Sequence, residues 1–389
     1  MTEPIGVVIT EGDFQGLAVL RSLACRGVPT IVIDHEPCIT RYSRFNRKFV
    51  SAPPPSNAEA YVQFLIDLCR REHLQDWIVF PISDEIVYVL SRYKEALEEY
   101  YRIPIPSWEV IQNVYIKEKT YRLADKHGIA IPQTYYPKTE AELRELDLAF
   151  PAVVKPSIRD HFYSQVKTKA FRVDTLEELL RTYRRVCEVI DASEVLVQEF
   201  IPGGPQHLYS CCPLFKDGNI VASVTARRRR QHPMDFGHAS TFVELVDIPA
   251  LPQIAADLLR VIDYYGIAEV EFMQDPNTGV YKLIEVNPRF WGWHSLAIAA
   301  GIDFPYLWYQ DMLGQTIQAD VKCLDLKWVR LLTDVPTILL ELVKGRMSLR
   351  DYLTSMRGPI TFAVLSRQDP LPFLAEVAMS PYLWMKQGF

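Results

Sequence analysis

An α/β opening followed by a longer α+β remainder is the architecture the sequence predicts, and three observations predict it. Short β-branched runs alternate with helical stretches over the first hundred or so residues. Short strands mixed with helices follow to about residue 199. Antiparallel strand candidates then lead to a hairpin at 268–289. With 389 residues the chain is too long for one ordinary core and suits two or three.

The elements justify this in order. The apolar run Ile5–Thr10, the glycines Gly12 and Gly16, a helical pattern to Gly27 and the run Thr30–Asp34 make a βαβ opening. A helix from Ala58 to His73, a strand Trp77–Phe80 and a helix from Asp84 to about Tyr100 continue the alternation of an open parallel sheet, so residues 1–115 form a first domain. Ligands of such sheets sit at the carboxyl ends of strands, which singles out Gly12–Gly16 and Ser83-Asp84-Glu85, with Asp84 expected as a helix N-cap. The spacing Gly12-x-x-x-Gly16 is not G-x-G-x-x-G, so nicotinamide binding has little support. Residues 116–199, with strands at Pro151–Lys155, Ala170–Val173 and Val195–Glu199, read as a small α+β lobe. Residues 200–320 read as a larger one, with strands at Leu208–Phe215, Ile220–Ala226 and Ser240–Val246 and an amphipathic helix over 251–265 stopped by Gly266. A helical extension, 321–389, carries no cluster that suggests chemistry.

Composition narrows the function. A net charge of −6 argues against a general nucleic-acid-binding surface. Seven cysteines without a C-x-x-C pair fit a reduced, cytoplasmic chain. Neither a basic, apolar leader nor an apolar stretch of the ~20 residues a membrane span needs is present. The aromatic tail from Met379 is expected to pack on the last lobe, with attachment to a membrane surface as the rarer outcome.

The hairpin carries the densest chemistry. Alternation puts Glu285 and Asn287 on one strand face, and the turn Asp275–Gly279 folds Glu271 back beside them. Two carboxylates ~4 Å apart repel by about 4 kcal/mol at an effective dielectric of 20, so such a pair generally needs a cation, and Mg²⁺ fits oxygen ligands beside phosphates. An arbitrary carboxylate pair on a hairpin would simply face water, but Asn-Pro-Arg directly after the second carboxylate weakens that alternative. Arg289 adds a guanidinium suited to bidentate grip of phosphate or carboxylate. Lys155 ends an apolar strand, from which an ammonium can reach a cleft. The run Arg227–Arg230 reads as a local anion clamp, with alternation turning two of the four inward. Phe290–His294 either shapes a carboxylate pocket or packs a loop-to-helix junction, and His294 is not needed as a metal ligand.

Six segments, in this order along the chain, carry a family resemblance: Lys117-Glu-Lys-Thr-Tyr-Arg122, Val153-Val-Lys-Pro156, Val197-Gln-Glu-Phe-Ile-Pro-Gly203, Ala226-Arg-Arg-Arg-Arg-Gln231, Glu269-Val-Glu-Phe272 and Leu283-Ile-Glu-Val-Asn-Pro-Arg289. Together they resemble ATP-grasp enzymes, in particular the bacterial carboxylate–amine ligase branch with its D-aspartate ligase-like proteins. The resemblance implies a pre-ATP-grasp α/β domain before a two-lobed ATP-grasp fold. It implies ATP, with Lys119 and Lys155 on the phosphates and Gln198, Glu199, Phe200 and Ile201 at the adenine. It implies two Mg²⁺ ions, or Mn²⁺ in their place, held by Glu271, Glu285 and Asn287, and it makes Arg289, Arg227 and Arg230 the catalytic arginines.

Two positions depart from the family pattern. Gln206 stands where an acid often binds ribose, and the loop after Lys155 has no glycine, leaving Ser157, Arg159, His161, Lys167 and Lys169 to cover phosphate. The implied reaction joins a small-molecule carboxylate to an amine, with an amino acid as one substrate, through an acyl phosphate; a homodimer is left open. Its rivals are phosphorylation or carboxylation without amide formation, and a nucleotide-binding module that has lost turnover.

Overall fold

The computed structural model describes residues 4–387 apart from 159–161, 163–165, 167, 235, 236, 238, 318 and 320–324. Three sheets organise it. The first has β1 (Val7–Ile9), β2 (Thr30–Asp34), β3 (Phe49–Ser51) and β4 (Ile78–Phe80), all parallel, in the order β3-β2-β1-β4. Every residue of β1, β2 and β4 is buried, as expected of a parallel sheet covered on both faces, and this is why these strands read as unbroken apolar runs. The second sheet has β5 (Thr134–Tyr135), β6 (Ala152–Pro156), β7 (Phe171–Val173) and β8 (Val195–Glu199), in the antiparallel order β5-β8-β6-β7.

The third sheet is the largest. It contains β9 (Leu208–Lys216), β10 (Asn219–His232), β11 (Ala239–Leu245), β12 (Gly266–Ile267), β13 (Glu269–Gln274), β14 (Tyr281–Asn287), β15 (Lys327–Val329) and β16 (Ile360–Phe362). Its main path is β14-β13-β9-β10-β11-β15-β16, with β12 paired to β9. Thus the segment after residue 321 is more than helical: β15 and β16 are three-residue strands that extend this sheet, too short to show a period in sequence. The helix before the hairpin also ends earlier than expected. It runs Ala250–Ile262 and stops at Asp263, which takes the left-handed conformation at φ 57°, rather than at Gly266.

One hydrophobic core runs from the first sheet into the third, whereas the second sheet and its helix Leu176–Cys187 enclose a separate, smaller core. The loop after β1 meets the helix Phe14–Ala24 so closely that a Cβ on Gly16 would lie 1.8 Å from the Glu11 carbonyl oxygen. Ser83, not Asp84, caps the next helix at this edge: its hydroxyl accepts from the Ile86 N–H and donates to Glu11 at 2.6 Å. Asp84 occupies the first turn, where its carboxylate is left to face Arg289. At the far end, Asp369 ties the last helices to the first domain, accepting from Arg21 Nε (2.9 Å), Ser43 Oγ (2.7 Å) and the Arg44 N–H (2.9 Å).

Candidate active site

The hairpin β13–β14 sets the centre of the site. Its register places Glu271 opposite Glu285 and Glu269 opposite Asn287, so three carboxylates and an amide share one face of the third sheet. Like charges directly opposite each other are destabilising, and here each carboxylate has acquired a cation or been desolvated. Lys117 Nζ lies 3.1 Å from Glu285, and Arg228 Nη2 donates to Glu271 at 3.0 Å. Glu269 accepts from Trp293 Nε1 at 3.0 Å and Ser210 Oγ at 3.1 Å; burial, aided by the charge of Glu271, raises its pKa to about 7. Asn287 donates to Glu269 (3.2 Å) and Glu271 (3.3 Å), while its oxygen accepts from Arg289 at 3.3 Å. Arg289 grips Asp84 with Nε at 2.8 Å and Nη2 at 3.0 Å, joining the hairpin to the first domain.

The arginine run falls differently from expectation. Ser210 pairs with Glu271 on one side and Ala226 on the other, so the carboxylate face continues onto Ala226 and, two residues later, Arg228. Arg227 therefore points to the opposite face, where its Nε donates to Glu244 at 2.8 Å. Arg230 follows a register shift in β10 and is buried away from the hairpin, with Nε and Nη2 each 2.8 Å from Asp334 and Nη1 2.8 Å from Ser355. Arg228 is thus the arginine in the cleft, not Arg227 or Arg230.

A similar correction applies to the first lysine. Thr120, Tyr121 and Ala124 form the buried face of the helix Lys117–Lys126; Lys117 shares it, whereas Lys119, about 200° further round at 100° per residue, is exposed and donates to Gln112. Lys155, near the end of β6, is buried and donates to Tyr121 Oη at 2.6 Å. Burial, then the charge of Lys117, lowers its pKa to about 7.

Two cavities meet at these groups. One, of about 230 Å³, is lined by Lys117, Lys155, Gln198, Glu199, Phe200 and Ile201, with Val153, Leu208, Met273 and Ile284 as apolar walls and Glu271 and Glu285 at its end. The N–H groups of Glu199 and Phe200 are spent on the Gln133 carbonyl (2.9 Å) and the Pro151 carbonyl (3.3 Å). The Gln198 side chain donates to Thr134 at 2.7 Å, and Glu199 pairs with Lys282. Gln206 is exposed on the turn Pro205–His207 and outside this wall, to which Gly204, Pro205 and Leu208 contribute instead. Ser157 accepts from the Glu118 N–H at 3.2 Å; Lys169 lines both cavities; Arg159, His161 and Lys167 lie outside the described residues.

The second cavity, of about 490 Å³, opens from the same hairpin toward the first domain. Its walls include Glu11, Gln15, Glu36, Ser83, Asp84 and Glu85 from strand ends of the first sheet, together with Arg228, Glu269, Asn287, Arg289 and Arg330. Both loops singled out by the strand-end rule are therefore here. Gly292 and Trp293 reach this wall, whereas Phe290 packs on Phe80 and Trp308, and His294 is buried with Nδ1 2.8 Å from the Trp291 carbonyl oxygen.

Residues 191–333 match the family model described as "ATP-grasp in the biosynthetic pathway with Ter operon". The chain has the ATP-grasp fold. Among curated proteins it is 24% identical over 267 residues to the D-aspartate ligase of Enterococcus faecium, an alignment covering 64% of this chain and 62% of that protein. The ATP-grasp fold is shared with the L-amino acid ligase from Bacillus licheniformis at a TM-score of 0.62 and 16% identity, covering 80% of this chain and 75% of that one. It is shared also with the biotin carboxylase domain of Hydrogenobacter thermophilus 2-oxoglutarate carboxylase, solved with MgADP and bicarbonate, at a TM-score of 0.65 and 15% identity over 83% and 73% of the two chains.

ATP-grasp enzymes use ATP and Mg²⁺, and the residues present suit such an ion. The donors at the hairpin are all oxygens, and two carboxylates lie across one strand pair. Among the described residues no three Asp, Glu, His or Cys side chains converge on one point, so an ion would depend on Glu271, Glu285, an Asn287 amide turned to offer its oxygen, and phosphate oxygens. Lys117, Arg228, Glu269 and Arg330 were not singled out from sequence. The buried pattern at 120, 121 and 124 would have found Lys117; the others needed the sheet register.

Proposed function

We propose that this protein is an ATP-dependent carboxylate–amine ligase that forms an amide through an acyl phosphate, with an amino acid as one substrate. One observation carries the reading: Glu271 and Glu285 line both cavities, so an apolar slot ending in two lysines and a wide polar cavity converge on one oxygen-rich centre. In this reading ATP lies along the slot, its ring between Val153, Met273 and Ile284, and its phosphates at Lys117 and Lys155. Glu271, Glu285 and Asn287 hold Mg²⁺, which, when bound, offsets charge on the phosphate oxygens.

The chain's own groups do the rest. Lys117 and Lys155 draw the phosphates to the hairpin, and Arg228 offsets charge that spreads over the transferring phosphoryl group. Arg289, anchored by Asp84, fixes the position of the first domain's wall against the hairpin. A substrate carboxylate in the polar cavity attacks the γ-phosphorus, ADP leaves, and an amine displaces phosphate from the acyl phosphate to give the amide. No protein nucleophile takes part. The D-aspartate ligase and the L-amino acid ligase support this class by name, and the first of them extends well beyond the length matched here.

The decisive experiment is an ADP-release screen over pairs of amino acids and small carboxylic acids, with product masses measured and hydroxylamine added as a trap. ADP release that needs both partners, with an amide of the summed mass less water, is the expected result. Phosphorylation or carboxylation without an amide would show as ADP release that persists without an amine. Nucleotide binding with no turnover across the panel would overturn the enzyme reading.

A further inference from the structure

Arg330, directly after β15, stands on the wall of the polar cavity, yet its side chain is only 1% exposed. A guanidinium carries five N–H donors. Here Nε reaches Glu376 at a long 3.3 Å, and Nη2 is buried with no partner among the described residues. The Phe14 ring covers one face of the group at 4.0 Å. Desolvating a guanidinium is costly unless it is paired and well hydrogen-bonded, and one long contact leaves that cost largely unmet. The shortfall points to an anion that arrives with a ligand.

The other charged groups of the cavity identify the kind of ligand. Glu11, Glu36 and Glu85 line the same cavity from the first domain, and Asp84 beside them already holds Arg289. Acid and an under-satisfied guanidinium lining one cavity suit a molecule with both an ammonium and a carboxylate, and suit a plain amine poorly.

We propose that Arg330 binds the carboxylate of the amino-acid substrate, and that Glu376 is a positioning residue holding the guanidinium by its Nε edge. The proposal rests on the ligase reading above. It also gives the C-terminal segment a purpose: the helix Leu371–Ala378 brings Glu376 to Arg330, and Asp369 fixes that helix to the first domain.

The test uses the full chain and compares each active amino acid with its decarboxylated amine. Arg330→Met should raise KM for the amino acid roughly 10- to 100-fold, the range of a charged hydrogen bond. It should leave KM for ATP within about two-fold and lower the rate with the plain amine by much less than the rate with the amino acid. Arg330→Lys should recover part of the loss. Because Arg330→Met strands Glu376, the double variant Arg330→Met/Glu376→Gln, checked by thermal melting, is measured in parallel. An unchanged KM for the amino acid, or equal losses with amino acid and amine, would overturn the proposal. Calorimetry of amino-acid binding beside a non-hydrolysable ATP analogue separates this from the ligase reading. Binding to the wild type that is lost in Arg330→Met supports Arg330 even without turnover, while equal binding to both proteins, or to neither, overturns it.

Discussion

The two halves of the cleft solve different problems with different materials. The slot beside β8 is walled mostly by apolar surface, with Lys117, Lys155 and the carboxylates Glu271 and Glu285 among its polar groups. The cavity toward the first domain is lined largely by charged and polar side chains, drawn from all three sheets' neighbourhoods and from the C-terminal segment. An apolar slot gains affinity by excluding water and is specified by its shape, whereas a charged cavity discriminates by pairing and by the cost of leaving a buried charge unpaired. The cores divide the same way. The slot lies between the lobe with its own small core and the large sheet, while the polar cavity is lined mainly by residues of the first and third sheets, which share one core. A rigid, shared core suits the end where charges must be held in register.

The largest expected effect breaks the centre that both halves share. Glu285→Gln removes one carboxylate oxygen from the pair and leaves Lys117 without its partner. Mg²⁺-dependent ADP production should fall by about 10³-fold, in the range of losing one transition-state electrostatic contact. Activity within ten-fold of wild type, measured at saturating Mg²⁺, would remove Glu285 from the metal site.

A second substitution separates two neighbours in β10. Arg228→Ala should lower kcat by about 10²-fold, because it withdraws the cation on Glu271 from the cleft. Arg227→Ala should change kcat and KM by less than about three-fold, since its side chain lies on the other face of the sheet, where it is partly exposed and pairs with Glu244. The reverse ranking in steady-state assays would mean that the strand register differs in the working enzyme.

These arginines mark the limit of what is legible in sequence. The parallel sheet was readable because its strands are buried on both sides, and the hairpin because its alternation and turn lie within twenty residues. The face of Arg228 depends on β14, β13, β9 and β10 in sequence-distant register, so no local pattern contains it. Arg330 and Glu376 meet only because two short strands and a late helix return to the cleft.

A third prediction sharpens the slot. Lys155→Met should weaken ATP binding roughly 10- to 100-fold by calorimetry. The pKa of about 7 adds a pH signature. The folded value lies below that of an unfolded lysine, so between about pH 7 and the ordinary lysine range the unfolded chain holds more protons. The stability penalty is therefore full below pH 7 and is relieved as pH rises through that window. Phosphates arriving beside Nζ favour the charged form, so at pH 8 ATP binding should take up a fraction of a proton. Titrations in two buffers of different ionisation enthalpy would reveal this uptake, and it should vanish in Lys155→Met.

The smallest expected effect tests the helix face. Lys119→Ala should leave ATP affinity within about two-fold, because an exposed side chain about 200° from Lys117 contributes little to a site it does not face. Lys117→Ala should cost roughly ten-fold, as the ion pair with Glu285 is lost and the phosphates lose a charge. The pair is informative because both lysines sit in one three-residue segment and carry the same charge. A long-range field would treat them nearly alike at low salt, whereas direct contact separates them at any ionic strength. If both variants weaken ATP binding equally, and 0.5 M salt abolishes both losses, then the slot attracts nucleotide by its field and the burial of Lys117 is incidental.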